Sequence, residues 1–216
     1  MTGVQTCALP ILQAALGKDA IVQEDGTVIY VTARDDNEAI RVDHDLIDCA
    51  QVYIDFVRQL AQGGELLVEQ RLSIEHITGE PGARGTSDSV ILFPGEICIV
   101  DLKGGFMRVT ASDPLVGNDL ATAPVEIKDR AWFEELRKPN TQLVMYAEAA
   151  RNELEFFHQF ERVRIIIVQP RLKHVDEFVM PIADFMIWVE WIRQQAEATR
   201  SPNAKATPGP DQCTFC

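Results

Sequence analysis

Leu46, Ile47, Ala50, Tyr53, Ile54 and Val57 recur at steps of three and four, the period of an amphipathic helix over residues 45–60, and Gly63-Gly64 ends it. The pattern then changes character. Residues 66–74, 86–93 and 97–103 read as strands, the last two joined by a tight turn at Pro94-Gly95-Glu96, which predicts an antiparallel meander. Over 104–128, Gly, Pro, Ser, Asn and Thr displace any period, so a long loop or insertion is expected before a short helix opened by Asp129. Asn140, after Pro139, is placed to cap a helix over 141–157 that carries Leu143, Tyr146, Ala147, Ala150 and Leu154 on one stripe. The β-branched run 163–168 suits a buried central strand, 175–180 makes another, and 183–198 closes with a helix whose Phe185, Trp188, Val189 and Ile192 form an apolar face. Helix, three strands, helix, two strands, helix is satisfied by an α/β sandwich with a mixed central sheet flanked by helices.

A chain of 216 residues that is 46% apolar supports one core, so a single domain is expected over 12–200, with the insertion at about 104–128 and a Pro-rich polar linker and tail over 201–216. The first eleven residues, Met1 to Ile11, look like the translation of a common sequencing-library adapter and are expected to carry no biology. No stretch approaches the ~20 apolar residues of a membrane span, and no leader pattern opens the chain, which predicts a cytoplasmic protein with no membrane partner. A formal charge of -13 opposes a general nucleic-acid footprint. Contact with phosphates would then need divalent ions and a local patch, for which Arg71, Arg84, Arg108, Arg171 and Lys173 are candidates.

One position breaks the hydrophobic logic. In Ile97-Cys98-Ile99-Val100-Asp101-Leu102-Lys103 a carboxylate follows four apolar residues in a strand expected to be buried, where an unpaired charge is costly. Alternation puts Asp101 and Lys103 on the face of Ile97 and Ile99, an acid beside an amine. Taken alone, that spacing describes an ion pair at a strand end equally well. Across the hairpin, Thr86, Asp88, Val90 and Leu92 share a face, and Asp88 would meet Asp101. At ~5 Å and an effective dielectric near ~20, two carboxylates repel by about 3 kcal/mol, a cost that a divalent cation turns into attraction. Oxygen donors of this kind suit Mg or Mn. Glu69, again an acid in an apolar strand, either joins this cluster or pairs with Arg71 or Lys103. Gln142 and Tyr146, four apart, share a helix face and are either site residues or core and its polar edge. Cys49 and Cys98 read as small buried hydrophobes and Cys7 stands alone. Cys213-x-x-Cys216 is half of a zinc or iron–sulfur ligand set, or two free thiols on a polar tail.

Glu69, Gly85-Thr86-Ser87-Asp88, Asp101-Leu102-Lys103-Gly104 and Gln142-x-x-x-Tyr146, in this order, resemble the motifs of RecB-like PD-(D/E)XK nucleases. Within that group the stretch from Val42 to Cys216, including Val168-Gln169-Pro170-Arg171-Leu172 and the terminal cysteines, is similar to a prophage-associated family, domain of unknown function 2800. Three departures stand beside the likeness. Ser87 replaces the nominal proline, the family's N-terminal cysteine, Glu-Gly-Thr and Ala-His segment is not found, and the 104–128 insertion is long.

The resemblance implies a restriction-endonuclease-like core in which Asp88, Asp101 and the Leu102 carbonyl bind Mg or Mn. It further implies that Lys103 orients or activates water, Glu69 is a secondary ligand, and Gln142 and Tyr146 position the substrate or the lysine. Cys213 and Cys216 would belong to a [4Fe-4S] cluster. The implied activity is exonuclease-like hydrolysis of DNA, with phage recombination or replication proteins as partners. Two other readings remain at this level: a catalytically inactive DNA-binding or recombination accessory module with the same fold, and an interaction protein in which Asp88, Asp101 and Lys103 form a buried salt-bridge network.

Overall fold

A computed structural model describes residues 20–22, 28–31, 39–42, 44–129, 135–154 and 158–204, with backbone alone for the first three stretches, His44 and Asn118. The first elements were not expected: β1 (Ala20–Val22), β2 (Val28–Val31) and β3 (Ala39–Val42) pair antiparallel into a three-stranded sheet. Strands this short span too few residues for alternation to register as a period.

From there the expected sequence of elements holds. Helix α1 (His44–Leu60) leads into β4 (Glu65–Ser73), the single-turn α2 (Glu75–Thr78), β5 (Arg84–Phe93) and β6 (Gly95–Leu102). The β5–β6 turn is tight because Pro94 presets its own φ and Gly95 adopts φ 74°, open to glycine at no steric cost. After it come β7 (Ser112–Pro114), α3 (Gly117–Thr122), α4 (Val125–Lys128) and β8 (Arg137–Pro139). Helix α5 (Thr141–Leu154), β9 (Phe160–Gln169), a 3-10 turn (Pro170–Leu172), β10 (His174–Pro181) and α6 (Ile182–Thr199) complete the described chain.

The main sheet has five strands in the order β10-β9-β6-β5-β4, all neighbours antiparallel except β6 and β9, which run parallel. The protein is thus α/β with a mixed sheet flanked by helices. The interior strands β6 and β9 are buried on both faces, which is why they read as continuous apolar runs. Ile97, Ile99, Val163, Ile165 and Ile167 pack with Leu143, Ala147, Phe185 and Val189 of α5 and α6. Their alternates Cys98, Val100, Ile166 and Val168 pack under Tyr53 and Val57 of α1.

One local expectation needs correction. Residues 104–128 are not structureless, since they hold β7 paired with β8 as well as α3 and α4. Asp129 is the C-cap of α4, and the helix expected after it falls on residues outside the described ones. Elements of one or two turns bury too little of one face to impose a period on the sequence. Among the described residues no helix is long and apolar enough to cross a membrane.

Candidate metal and phosphodiester site

Antiparallel pairing of β5 with β6 runs from Phe93↔Glu96 to Ser89↔Val100 and stops, and the next pair in that register would be Asp88 and Asp101. On its other edge β6 stays zipped to β9 through Leu102↔Val168, and the Lys103 amide donates to the Val168 carbonyl at 2.9 Å. At the parting the Asp88 carboxylate takes over as acceptor, receiving the Leu102 N–H at 2.7 Å. β5 also loses its other neighbour at this residue: Val68↔Ser89 and Gln70↔Ser87 are paired, but Glu69 between them is not, and its φ is 52°. Left-handed backbone at a non-glycine residue costs on the order of 1–3 kcal/mol and persists only where surrounding structure enforces it.

Tyr53 props the parting from beneath. Its hydroxyl donates to the Val100 carbonyl at 3.0 Å and lies 2.9 Å from Ser89 Oγ, beside both aspartates in sequence. Burial pushes the phenol far above its ordinary value, with Asp88, Asp101 and Glu69 adding to the effect, so it remains a proton donor. The sequence marked Tyr53 only as helix core, and nothing in its spacing foretold this contact.

Above the sheet a line of side chains runs from the carboxylates to α5. Lys103 Nζ is 2.9 Å from Asp101 Oδ2 and donates to Gln142 Oε1 at 2.9 Å, and Gln142 Nε2 donates to the Tyr146 hydroxyl at 3.0 Å. Asn140 sets the helix start, its Oδ1 accepting the amides of Gln142 (3.1 Å) and Leu143 (3.3 Å), which orients Gln142. Tyr146 reaches this line because position 85 is glycine: a Cβ there would stand 2.5 Å from the tyrosine ring. Gly85→Ala is expected to cost about 1–3 kcal/mol in denaturant unfolding, the usual range for overpacking. Adding Tyr146→Leu should restore most of it, and an unchanged loss in the double variant would refute the assignment.

The site gathers Asp88, Asp101, Lys103, Gln142 and Tyr146, and Glu69 borders it through Asp88 rather than through Arg71 or Lys103. Arg108, Arg171 and Lys173 belong to the loops that leave the ends of the parallel pair β6 and β9. Arg71 and Arg84 sit exposed on the β4–β5 pair. Arg171 is already engaged with Asp45 at 2.6 Å. Cys213 and Cys216 lie outside the described residues, while Cys49 and Cys98 are buried and in no disulfide.

Electrostatics at the site favour a cation. Asp101 is 4% exposed, and the partner at its Oδ2 is the Lys103 ammonium, 2.9 Å away. Burial raises the proton affinity of Asp101, Asp88 and Glu69, and repulsion from Asp88 adds to it at Asp101 and Glu69. Lys103 works against the rise at both aspartates, and the Leu102 amide does so at Asp88. All donors are oxygens, the set that Mg and Mn take. No group of three His, Cys, Asp or Glu side chains is gathered for a metal among the described residues, so a divalent ion here would rest on the two aspartates, a main-chain carbonyl such as that of Leu102, and water.

A carboxyl group whose proton affinity is raised by folding stabilises the fold fully below the ordinary value near ~4, and that contribution is lost as pH rises through the shifted value. Without metal, the wild-type chain is therefore expected to lose stability relative to Asp88→Asn as pH climbs from about 4 to about 7. The asparagine keeps an acceptor for the Leu102 amide. Parallel melting curves for the two proteins across that range would contradict the electrostatics described above. Millimolar Mn should raise the melting temperature of the wild type but not of the Asp88→Asn, Asp101→Asn double variant.

A second set of residues holds the segment after Lys103. The fully buried Gln169 donates to the Met107 carbonyl at 2.9 Å and accepts the Val109 amide at 2.8 Å. Arg171 donates to the Gly104 carbonyl, His174 Nε2 lies 3.2 Å from the Val109 carbonyl, and Asp176 accepts the Ala111 amide at 2.7 Å. Sequence reading passed over Gln169, His174 and Asp176 as site elements, although the 168–172 segment was part of the resemblance.

The protein-family model described as "Protein of unknown function (DUF2800)" matches residues 7–216, reaching back well before Val42 and into the first eleven residues. With nearly the whole length matched, this chain belongs to the DUF2800 family.

Proposed function

We propose that this chain is a Mg- or Mn-dependent deoxyribonuclease with a PD-(D/E)XK core, acting on DNA ends in a phage or prophage setting. The observation that carries the reading is the parting of β5 from β6 at Asp88, which leaves Asp88 and Asp101 side by side with the Lys103 ammonium 2.9 Å from the buried Asp101 carboxylate. When bound, a divalent ion would supply Lewis acidity and lower the pKa of water.

The protein's own groups divide the remaining work. Asp88 and Asp101 hold the ion, with Glu69 at the margin. Lys103 has three donors, of which Gln142 takes one and Asp101 faces another, leaving one for the attacking water or for developing phosphate charge. Gln142, braced by Tyr146, holds the ammonium in place. On the same reading Cys213 and Cys216 would supply two of the four thiolates that a [4Fe-4S] cluster takes.

The Lys103–Asp101 contact also favours a plain salt-bridge network, and one experiment separates the two. Linear DNA is incubated with the full chain in Mg or Mn and compared with Lys103→Ala and Asp101→Asn. Metal-dependent digestion lost in both variants supports the enzyme. Equal digestion by all three proteins, or no digestion and no Mn binding by the wild type, removes it.

A further inference from the structure

The loop after Lys103 is tied down at Gly104, Met107, Val109 and Ala111 by Gln169, Arg171, His174 and Asp176, yet its tip is apolar and open. Phe106 is 78% exposed and Met107 57%. Loops with few packed contacts are normally mobile and polar. Here four side chains of the β9–β10 hairpin order a segment whose own apolar residues bury little. The rigidity therefore serves presentation of those residues more than core formation.

The surroundings narrow what is presented to. The Phe106 ring lies against the Arg171 guanidinium, 5.2 Å from the ring centroid, so one face is backed and the rest of the ring is open. The platform lies three positions beyond Lys103, and Arg108 and Lys173 are exposed on the two loops that meet here. In a chain of formal charge -13, the exposed Arg108 and Lys173, on the loop that carries the ring and the turn that backs it, complement a ligand that carries both phosphate and a flat apolar face, while Arg171 is paired with Asp45. A protein partner would supply the apolar part without needing the cations.

We propose that Phe106, with Met107 beside it, is a stacking platform for a nucleobase of the strand whose phosphate meets Lys103. This rests on the nuclease reading for the position of that phosphate. Phe106 acts on the base and takes no part in hydrolysis, so its role is to seat an unpaired or frayed nucleotide next to the carboxylates.

The test is a binding measurement on the full chain in Ca, with the oligonucleotide checked to remain intact. A single-stranded DNA carrying 2-aminopurine is compared with the same strand made abasic at that position, moved along the strand in turn. Wild type should prefer the base-containing strand by about five- to a hundredfold at one position and quench 2-aminopurine there. Phe106→Ala should erase both the preference and the quench while binding the abasic strand as wild type does, and Phe106→Trp should keep them. The proposal is overturned if Phe106→Ala retains the preference, if it weakens both strands equally, or if the wild type binds neither. Because no turnover is needed, the result separates from the nuclease reading. Base preference with digestion indifferent to Lys103 would sink only the latter, and Lys103-dependent digestion without base preference would sink only the platform.

Discussion

Lys103→Ala is expected to lower metal-dependent DNA hydrolysis by about 10²–10⁴-fold, the span usual for removing a positioned proton-transfer or charge-stabilising group. If the proposed function holds, the loss should fall on kcat, because Gln142 and Asp101 hold the ammonium within the site and not on a surface that merely attracts DNA. Lys103→Arg is expected to rescue little, since a planar fork cannot replace a compact ammonium fitted between an amide oxygen and a carboxylate at 2.9 Å each. Asp101→Asn should be as inactive as Lys103→Ala yet at least as stable as wild type without metal, because it removes a buried charge that repels Asp88. Inactivity combined with undiminished stability is the signature of a site built for an ion. Inactivity that merely tracks unfolding would return the pair to a structural role.

Glu148→Ala is expected to be the most damaging substitution to the fold outside the apolar core, costing about 3 kcal/mol, or roughly 6–12 °C in Tm for a domain of this size. Glu148 is completely buried on α5. Its carboxylate accepts two bonds from Arg151, at 2.7 and 3.1 Å, and one from Arg193 of α6 at 3.0 Å, with His76 of α2 3.7 Å away. Removing it leaves two guanidinium groups facing each other across a helix junction and a void between three elements. The arginines are partly exposed and can recover water, which holds the cost toward the lower end for broken buried pairs. Glu148→Gln keeps shape and one acceptor and should lose about half as much. A change below ~0.5 kcal/mol for Glu148→Ala, the level of an ordinary surface substitution, would show the network to be energetically idle.

Much of the architecture was readable because it depends on local periodicity. The helical stripe on α1 and the uninterrupted apolar runs of β6 and β9 each report how many faces of an element are buried. Asn140 as a cap and Pro94-Gly95 as a turn are equally local, being preferences of single residues for backbone geometry. Short elements escaped: β1 to β3, β7, α3 and α4 are too brief to show a period.

The candidate site divides in the same way. That Asp101 and Lys103 share a face follows from strand alternation and needs no fold. That Gln142 and Tyr146 can touch follows from a four-residue step on a helix. The chain alone therefore dictated which side chains belong together within each element. Three things were decided only when distant segments packed: the register that sets Asp88 opposite Asp101, the loss of both strand neighbours at Asp88 with Glu69 forced left-handed, and the clamp of the β9–β10 hairpin on the loop after Lys103. Each is a contact between residues far apart in sequence, where no periodicity constrains the outcome and the lowest free energy is found by the whole core at once.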